Sequence, residues 1–192
     1  GLGRATRMKK ILQSPFTLHK TVLEYIRHET TSAREGKKAR IIAKMNALVE
    51  PEIIRALYEA SQAGVEIDLI VRGVCCLRPG IPGVSDKIQV RSIIGRFLEH
   101  SRVFYFYHSG EELLFCSSAD WMPRNFFLRV ETCFPIDEKR PREQIITHGL
   151  LNYLSDNTQA WMLQPDGSYK RIKTSSQKLR TAQQSLLEYY CG

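Results

Sequence analysis

Ile67-Asp-Leu-Ile-Val-Arg-Gly-Val-Cys-Cys-Leu-Arg-Pro-Gly80 is a short apolar run that ends on a single cation. A buried strand reads this way when it delivers one charge to its carboxyl end. The strand is placed at Glu66–Val71, which leaves Arg72-Gly73 just beyond it. Upstream, Ala39-Arg-Ile-Ile-Ala43 reads as a second short strand, followed by Lys44-Met-Asn46. Glu50-Pro51 opens a helix between the two, with Ile53, Ile54, Leu57 and Tyr58 on its apolar side and Gly64 as its stop. Strand, helix and strand with short links form a βαβ unit, a parallel pair with a right-handed crossover. Ligands of such sheets bind beyond the carboxyl ends of the strands. Lys44, Asn46 and Arg72 are therefore expected at a binding edge.

Working outward, Ser14-Pro15 reads as a helix start, Ser as N-cap and Pro in the first turn. Phe16, Leu18, Val22, Leu23, Tyr25 and Ile26 give its apolar stripe, and Gly36 ends it. Residues 1–14 are expected to be a basic connector, and residues 15–192 a single domain. With no Met start, the chain reads as a domain taken from a longer polypeptide. Leu77–Gly83 is a Pro/Gly loop. Strands are expected at Ile88–Ile94, Arg102–Tyr107, Glu112–Cys116 and Leu128–Phe134, the middle two joined as a hairpin across His108-Ser-Gly110. Pro141–Leu154 reads as a helix. Ala160–Leu163 and Tyr169–Ile172 flank the turn sequence Gln164-Pro-Asp-Gly167. A last helix is expected over 175–190. The fold class is α/β, a mixed sheet with helices packed on it.

The formal net charge is +8. That favours a polyanionic partner without choosing among nucleic acid, membrane and polyphosphate. The basic residues are spread through the expected elements, which fits a basic cleft better than a disordered arm. No apolar run approaches the ~18–20 residues needed to span a bilayer. The five Cys are odd in number and lack zinc spacing, so reduced thiols of a cytoplasmic protein are expected.

His100 and Arg102 form a His-x-Arg at the start of an expected strand. Residues i and i+2 of a strand share a face, so both can address one phosphate. His exchanges protons near neutral pH, and Arg grips phosphate oxygens with two nitrogens. Lys44, Asn46, Arg91 and Arg129 lie in or just beyond expected strands and line the same cleft on this reading; a solvated strand edge is the alternative for each. Leu128-Arg-Val-Glu131 alternates so that Arg129 and Glu131 face away from Leu128 and Val130. For Arg72 the alternatives are a phosphate contact, with Gly73 allowing a ligand close to the backbone, and a surface arginine or structural ion pair. His19, His28, His108 and His148 read as packing or surface histidines. No phosphate-binding Gly-x-x-x-x-Gly-Lys-Ser/Thr is present, and no carboxylate cluster announces a metal site.

Several motifs together carry a family resemblance. They are Lys44-Met-Asn, Leu57-Tyr-Glu-Ala-Ser-Gln-Ala-Gly64, the Arg72 strand, Arg96-Phe-Leu-Glu-His-Ser-Arg102, Ser117-Ser-Ala-Asp-Trp-Met122 and Leu163-Gln-Pro-Asp-Gly167. In these the chain resembles the C-terminal catalytic domain of bacterial polyphosphate kinase, a member of the phospholipase D-like group. The group's His-x-Lys signature appears here with Arg102 in place of Lys. Ser117 stands where Gly is common, and Asp120 where Asn is common.

The resemblance implies reversible transfer of the terminal phosphoryl group of ATP to inorganic polyphosphate. A phosphohistidine on a preceding domain, absent here, would carry the group. By motif, His100 is the catalytic histidine of this domain, and Arg72 and His100 contact the nucleotide phosphates. Mg2+ would arrive with ATP and be held mainly outside this chain. The implied partners are ATP/ADP, polyphosphate, the preceding domains and further copies of the enzyme, with no specific nucleic acid. A cytoplasmic location is implied, with membrane association left open. The rival readings are a phospholipase D-like phosphodiesterase or nuclease half-site, and a basic nucleic-acid-binding module.

Overall fold

The parallel pair at the centre forms as the sequence dictates. A computed structural model of the chain describes residues 10–172 and 178–192. Its order is β1 (Leu12–Ser14), α1 (Leu18–Arg34), β2 (Arg40–Met45), α2 (Pro51–Ala63), β3 (Glu66–Val71), β4 (Ile88–Ile93), β5 (Arg102–Phe106), β6 (Leu113–Ser117), β7 (Glu131–Pro135), α3 (Lys139–Ile145), α4 (Asn152–Leu154), β8 (Ala160–Leu163), β9 (Tyr169–Arg171) and α5 (Ala182–Cys191). The strands form one sheet in the order β1-β7-β6-β5-β2-β3-β4-β8-β9. β2, β3 and β4 run parallel, and every other pairing is antiparallel.

Alternation along the central strands builds two cores. Ile41, Ala43, Met45, Ile67, Leu69 and Val71 face α1 and α2. Ile42, Ile70, Ile93, Val103, Tyr105 and Leu114 face the other way, onto Leu150, Tyr153 and Ala182. Two-residue periodicity alone produces this three-layer arrangement.

The caps of α2 are those the sequence announces. The Glu50 carboxylate accepts the Ile53 N–H at 2.6 Å, Pro51 fills the first turn, and Gly64 closes the helix at φ 103°. The Trp121 carbonyl accepts both the Val49 and Glu50 N–H groups, which ties the segment after β6 to the start of α2.

Four expectations are corrected. Leu12–Ser14, at the end of the expected connector, pair with β7 instead, and Thr17, not Ser14, precedes the first turn of α1. Residues 1–9 lie outside the described residues. The expected strand Leu128–Phe134 begins later, at Glu131. Arg124–Leu128 form a wide helical turn held by the fully buried Phe126 and by the Asn125 amide, which donates to Glu131 at 2.6 Å. Leu128 is consequently 80% exposed and Val130 74%, and with Arg129 exposed as well the expected alternation of faces is absent. The expected helix 141–154 starts at Lys139 and contains a wide turn over Ile146–Leu151. The last helix starts at Ala182; residues 175–177 of its expected span lie outside the described residues.

Among the described residues no helix is long and apolar enough to cross a membrane. All five Cys are free thiols. Burial pushes the Cys133 thiol up to about 12 and the Cys75 thiol up to about 11, so both stay protonated at pH 8. Iodoacetamide at pH 8 should label the exposed Cys76 and Cys191 and spare Cys133 and Cys75 in the folded chain. Peptide mapping of the alkylated protein checks this; early labelling of Cys133 would show that β7 is not packed as described.

Candidate active-site edge

At the carboxyl edge of the sheet, β2 and β3 end side by side. The Arg72 N–H donates to the Met45 carbonyl at 3.2 Å, and the Gly73 N–H to the Asn46 carbonyl at 2.8 Å. A Cβ on Gly73 would stand 3.0 Å from that Asn46 carbonyl, so this glycine serves strand-to-strand approach within the protein. That replaces the ligand-approach role expected for it. The Arg72 carbonyl accepts from the Ser92 hydroxyl at 3.1 Å. Its guanidinium is half-buried and, among the described residues, has no hydrogen-bond or ion-pair partner. The residue borders a recess of about 220 Å³ together with Gly73, Ser92, Ile94, Trp161 and Tyr169.

His100 lies in the loop between β4 and β5 and is exposed. Arg102, the first residue of β5, reaches back to it. Arg102 Nη1 donates to the His100 carbonyl at 2.8 Å and stands 3.2 Å from the ring Nδ1. The other side of the guanidinium is fixed on Asp120, Nε to Oδ1 at 3.2 Å and Nη2 to Oδ2 at 3.1 Å. The expected meeting of His100 and Arg102 is therefore present, but Arg102 is half engaged by a carboxylate. Asp120, 7% exposed, also accepts the Asn46 N–H at 2.7 Å and its side-chain amide at 3.2 Å. The segment Ser117–Asp120 thus has a structural reason to be small and polar. The Ser118 hydroxyl bonds Glu131, and the Ser117 hydroxyl bonds the Thr132 carbonyl at 3.0 Å.

The weaker candidates separate. Lys44 is 2% exposed and forms an ion pair with Glu99, 9% exposed, at 2.6 Å. It also donates to the Ser101 hydroxyl at 2.8 Å and sits 3.8 Å over the Tyr153 ring. Burial pushes its ammonium down, and Glu99 opposes that shift. Arg91 is buried and donates to the Leu154 carbonyl at 2.5 Å. Asn46 is buried against Asp120. Arg129 follows the wide turn, exposed and outside any strand. Lys44, Asn46 and Arg91 are therefore internal ties in this arrangement. Nor do Lys44, Arg72 and His100 line one cleft: Arg72 borders its own recess, while His100 and Lys44 border two adjoining ones that share Ser101, Tyr153, Leu186 and Tyr190.

The other histidines are engaged elsewhere. His19 packs edge-on against Phe126 and Phe127, the His28 and His108 rings lie tilted against each other with centroids 3.9 Å apart, and His148 bonds the Tyr190 hydroxyl at 2.9 Å. Sequence reasoning passed over Gln183, which lies in no motif, and saw Glu99 only as a neighbour of His100 and not as the partner of Lys44.

The carboxylates around His100 do not suit a magnesium ion. Both oxygens of Asp120 accept from Arg102 or Asn46, and both oxygens of Glu99 accept from Lys44 or Gln183. Among the described residues no group of three His, Cys, Asp or Glu could hold a metal ion.

If Lys44 is an internal tie, Lys44→Met strands a buried carboxylate, a loss of about 3–5 kcal/mol. Lys44→Met with Glu99→Gln should recover much of that in urea unfolding. A single variant as stable as the parent would return Lys44 to the list of ligand-facing cations.

A family model described as "Polyphosphate kinase C-terminal domain 2" matches residues 11–183. Over 189 residues the chain is 59% identical to the polyphosphate kinase of Pseudomonas aeruginosa, covering 98% of this chain and 27% of that protein. It is 56% identical over 192 residues to the polyphosphate kinase of Paraburkholderia phytofirmans, all of this chain and 28% of the relative. The crystal structure of polyphosphate kinase from Porphyromonas gingivalis superposes with a TM-score of 0.93 at 36% identity, covering 99% of this chain and 29% of that one. The chain thus spans a little over a quarter of the length of these relatives. With the family match running from the edge strand to the last helix, the chain belongs to the polyphosphate kinase C-terminal domain 2 family.

Proposed function

We propose that this chain supplies the nucleotide-phosphate side of a polyphosphate kinase centre. The whole enzyme moves the terminal phosphoryl group of ATP to inorganic polyphosphate and back, through a phosphohistidine carried by a part of the polypeptide outside this chain. In the first half-reaction the histidine nitrogen bonds the γ-phosphorus as the bond to the β-phosphate oxygen breaks, releasing ADP. In the second, a terminal oxygen of polyphosphate takes the group from the histidine. Such transfers depend mainly on positioning and on stabilising charge over the phosphate oxygens.

One observation carries this reading: Arg72 is a half-buried guanidinium at the carboxyl edge with no protein partner among the described residues, whereas Lys44, Arg91 and Arg102 are all engaged. An arginine without a counter-charge at a binding edge suits an anionic ligand. Arg72 holds phosphate oxygens. His100, exposed on the same edge and backed by Arg102 Nη1, ligates phosphate or moves a proton to the departing oxygen. Arg129, exposed beyond the wide turn, remains available to the polyanion. Magnesium accompanies the nucleotide on its own phosphates; no carboxylate described around His100 is free to bind it.

Arg72→Ala and His100→Ala are to be tested in a full-length polyphosphate kinase carrying this chain. Loss of a charge-assisted contact costs about 1.5–3 kcal/mol, so Arg72→Ala should lower kcat/KM roughly tenfold to a hundredfold, with weaker ATP binding. His100→Ala should lower kcat about 10²-fold or more if it moves a proton. Both should keep the parent's melting temperature. Label transfer from ATP to polyphosphate at the parent's rate in His100→Ala would remove His100 from the mechanism.

A further inference from the structure

The loop Ile94–Ser101 carries His100 without regular secondary structure, and most of its residues are exposed. A histidine that must meet a phosphate needs a fixed backbone. The fixing groups come from two distant elements. Gln183, buried in the first turn of α5, makes three hydrogen bonds to this loop. Its carbonyl accepts the Phe97 N–H at 3.0 Å, and its amide donates to the Phe97 carbonyl at 2.8 Å and to Glu99 Oε1 at 2.7 Å. Lys44 holds Glu99 Oε2 and the Ser101 hydroxyl, the residues on either side of His100. With Arg102 on the His100 carbonyl, the chain on both sides of the imidazole is held and the ring itself faces out.

We propose that Gln183, with the Lys44–Glu99 pair beneath it, is a positioning residue that presets His100 for phosphate. The proposal rests on the reading of His100 given above. Two further features point the same way. A Cβ on Gly95 would come within 2.3 Å of Gln183 Oε1 and 2.5 Å of Gln159 Oε1, so the loop is threaded against this side chain with no spare room. The first turn of α5 is itself anchored: the Ala182 N–H donates to Asp156 at 2.7 Å, and the Asn152 amide donates to the Ala182 carbonyl at 2.9 Å. Gln183 does not itself border the Arg72 recess, although Ile94 at the start of the same loop does.

The test is a double-mutant cycle in the full-length enzyme. Gln183→Ala should lower kcat about tenfold. In a His100→Ala background the same change should cost no further kcat. Amide hydrogen exchange over residues 94–101 should quicken in Gln183→Ala more than in the rest of the chain, a readout independent of turnover. The proposal is overturned if Gln183→Ala keeps the parent's kcat, if it loses as much with His100 absent, or if exchange in the loop does not change. Should His100→Ala itself turn over normally, the functional reading falls together with this one. Should His100→Ala be crippled and Gln183→Ala normal, the positioning role alone falls.

Discussion

Asp120 is the carboxylate on which the carboxyl edge of the sheet converges. Its two oxygens receive the backbone and side chain of Asn46 at the end of β2 and two nitrogens of Arg102 at the start of β5. A buried carboxylate is tolerated only when its lone pairs are filled and its charge is balanced. Here one guanidinium does the balancing and, with its third nitrogen, reaches His100. The position of the histidine therefore follows from a charge that must be neutralised inside the fold. Asp120 and Arg102 make sense as a pair, since each supplies what the other needs.

The cations of the edge divide by whether the protein has already used them. Lys44 neutralises Glu99, Arg91 caps the last carbonyl of α4, and Arg102 neutralises Asp120. Arg72 lacks such a partner among the described residues. In a chain of net charge +8, the count of basic residues says little about a ligand site; the unsatisfied guanidinium says more. The same logic separates the carboxylates, since Asp120 and Glu99 are spent on internal cations and leave no oxygen for a metal.

The βαβ unit was legible because each of its features is local. Alternating apolar residues, the Glu50-Pro51 start and the Gly64 stop require no knowledge of the rest of the chain, and the observed strand Glu66–Val71 matches its expected bounds. His100 and Arg102 do meet, but not on a shared strand face as expected: His100 precedes β5, and Arg102 reaches back to its carbonyl. What escaped was tertiary. Lys44 reads as a free cation until Glu99, 55 residues later, is brought beside it. Leu128–Val130 read as strand until Asn125 folds onto Glu131 and draws the segment into a turn. Gln183 sits in an unremarkable helix start, and only its three contacts with the His100 loop give it meaning.

The most direct measurement is a crystal structure of the full-length enzyme with a non-hydrolysable ATP analogue. The account predicts phosphate oxygens within hydrogen-bond distance of the Arg72 guanidinium and of the His100 ring, with the Lys44–Glu99 and Arg102–Asp120 pairs intact. Phosphates bound instead on Lys44, with Glu99 displaced from it and Arg72 left facing solvent, would contradict it.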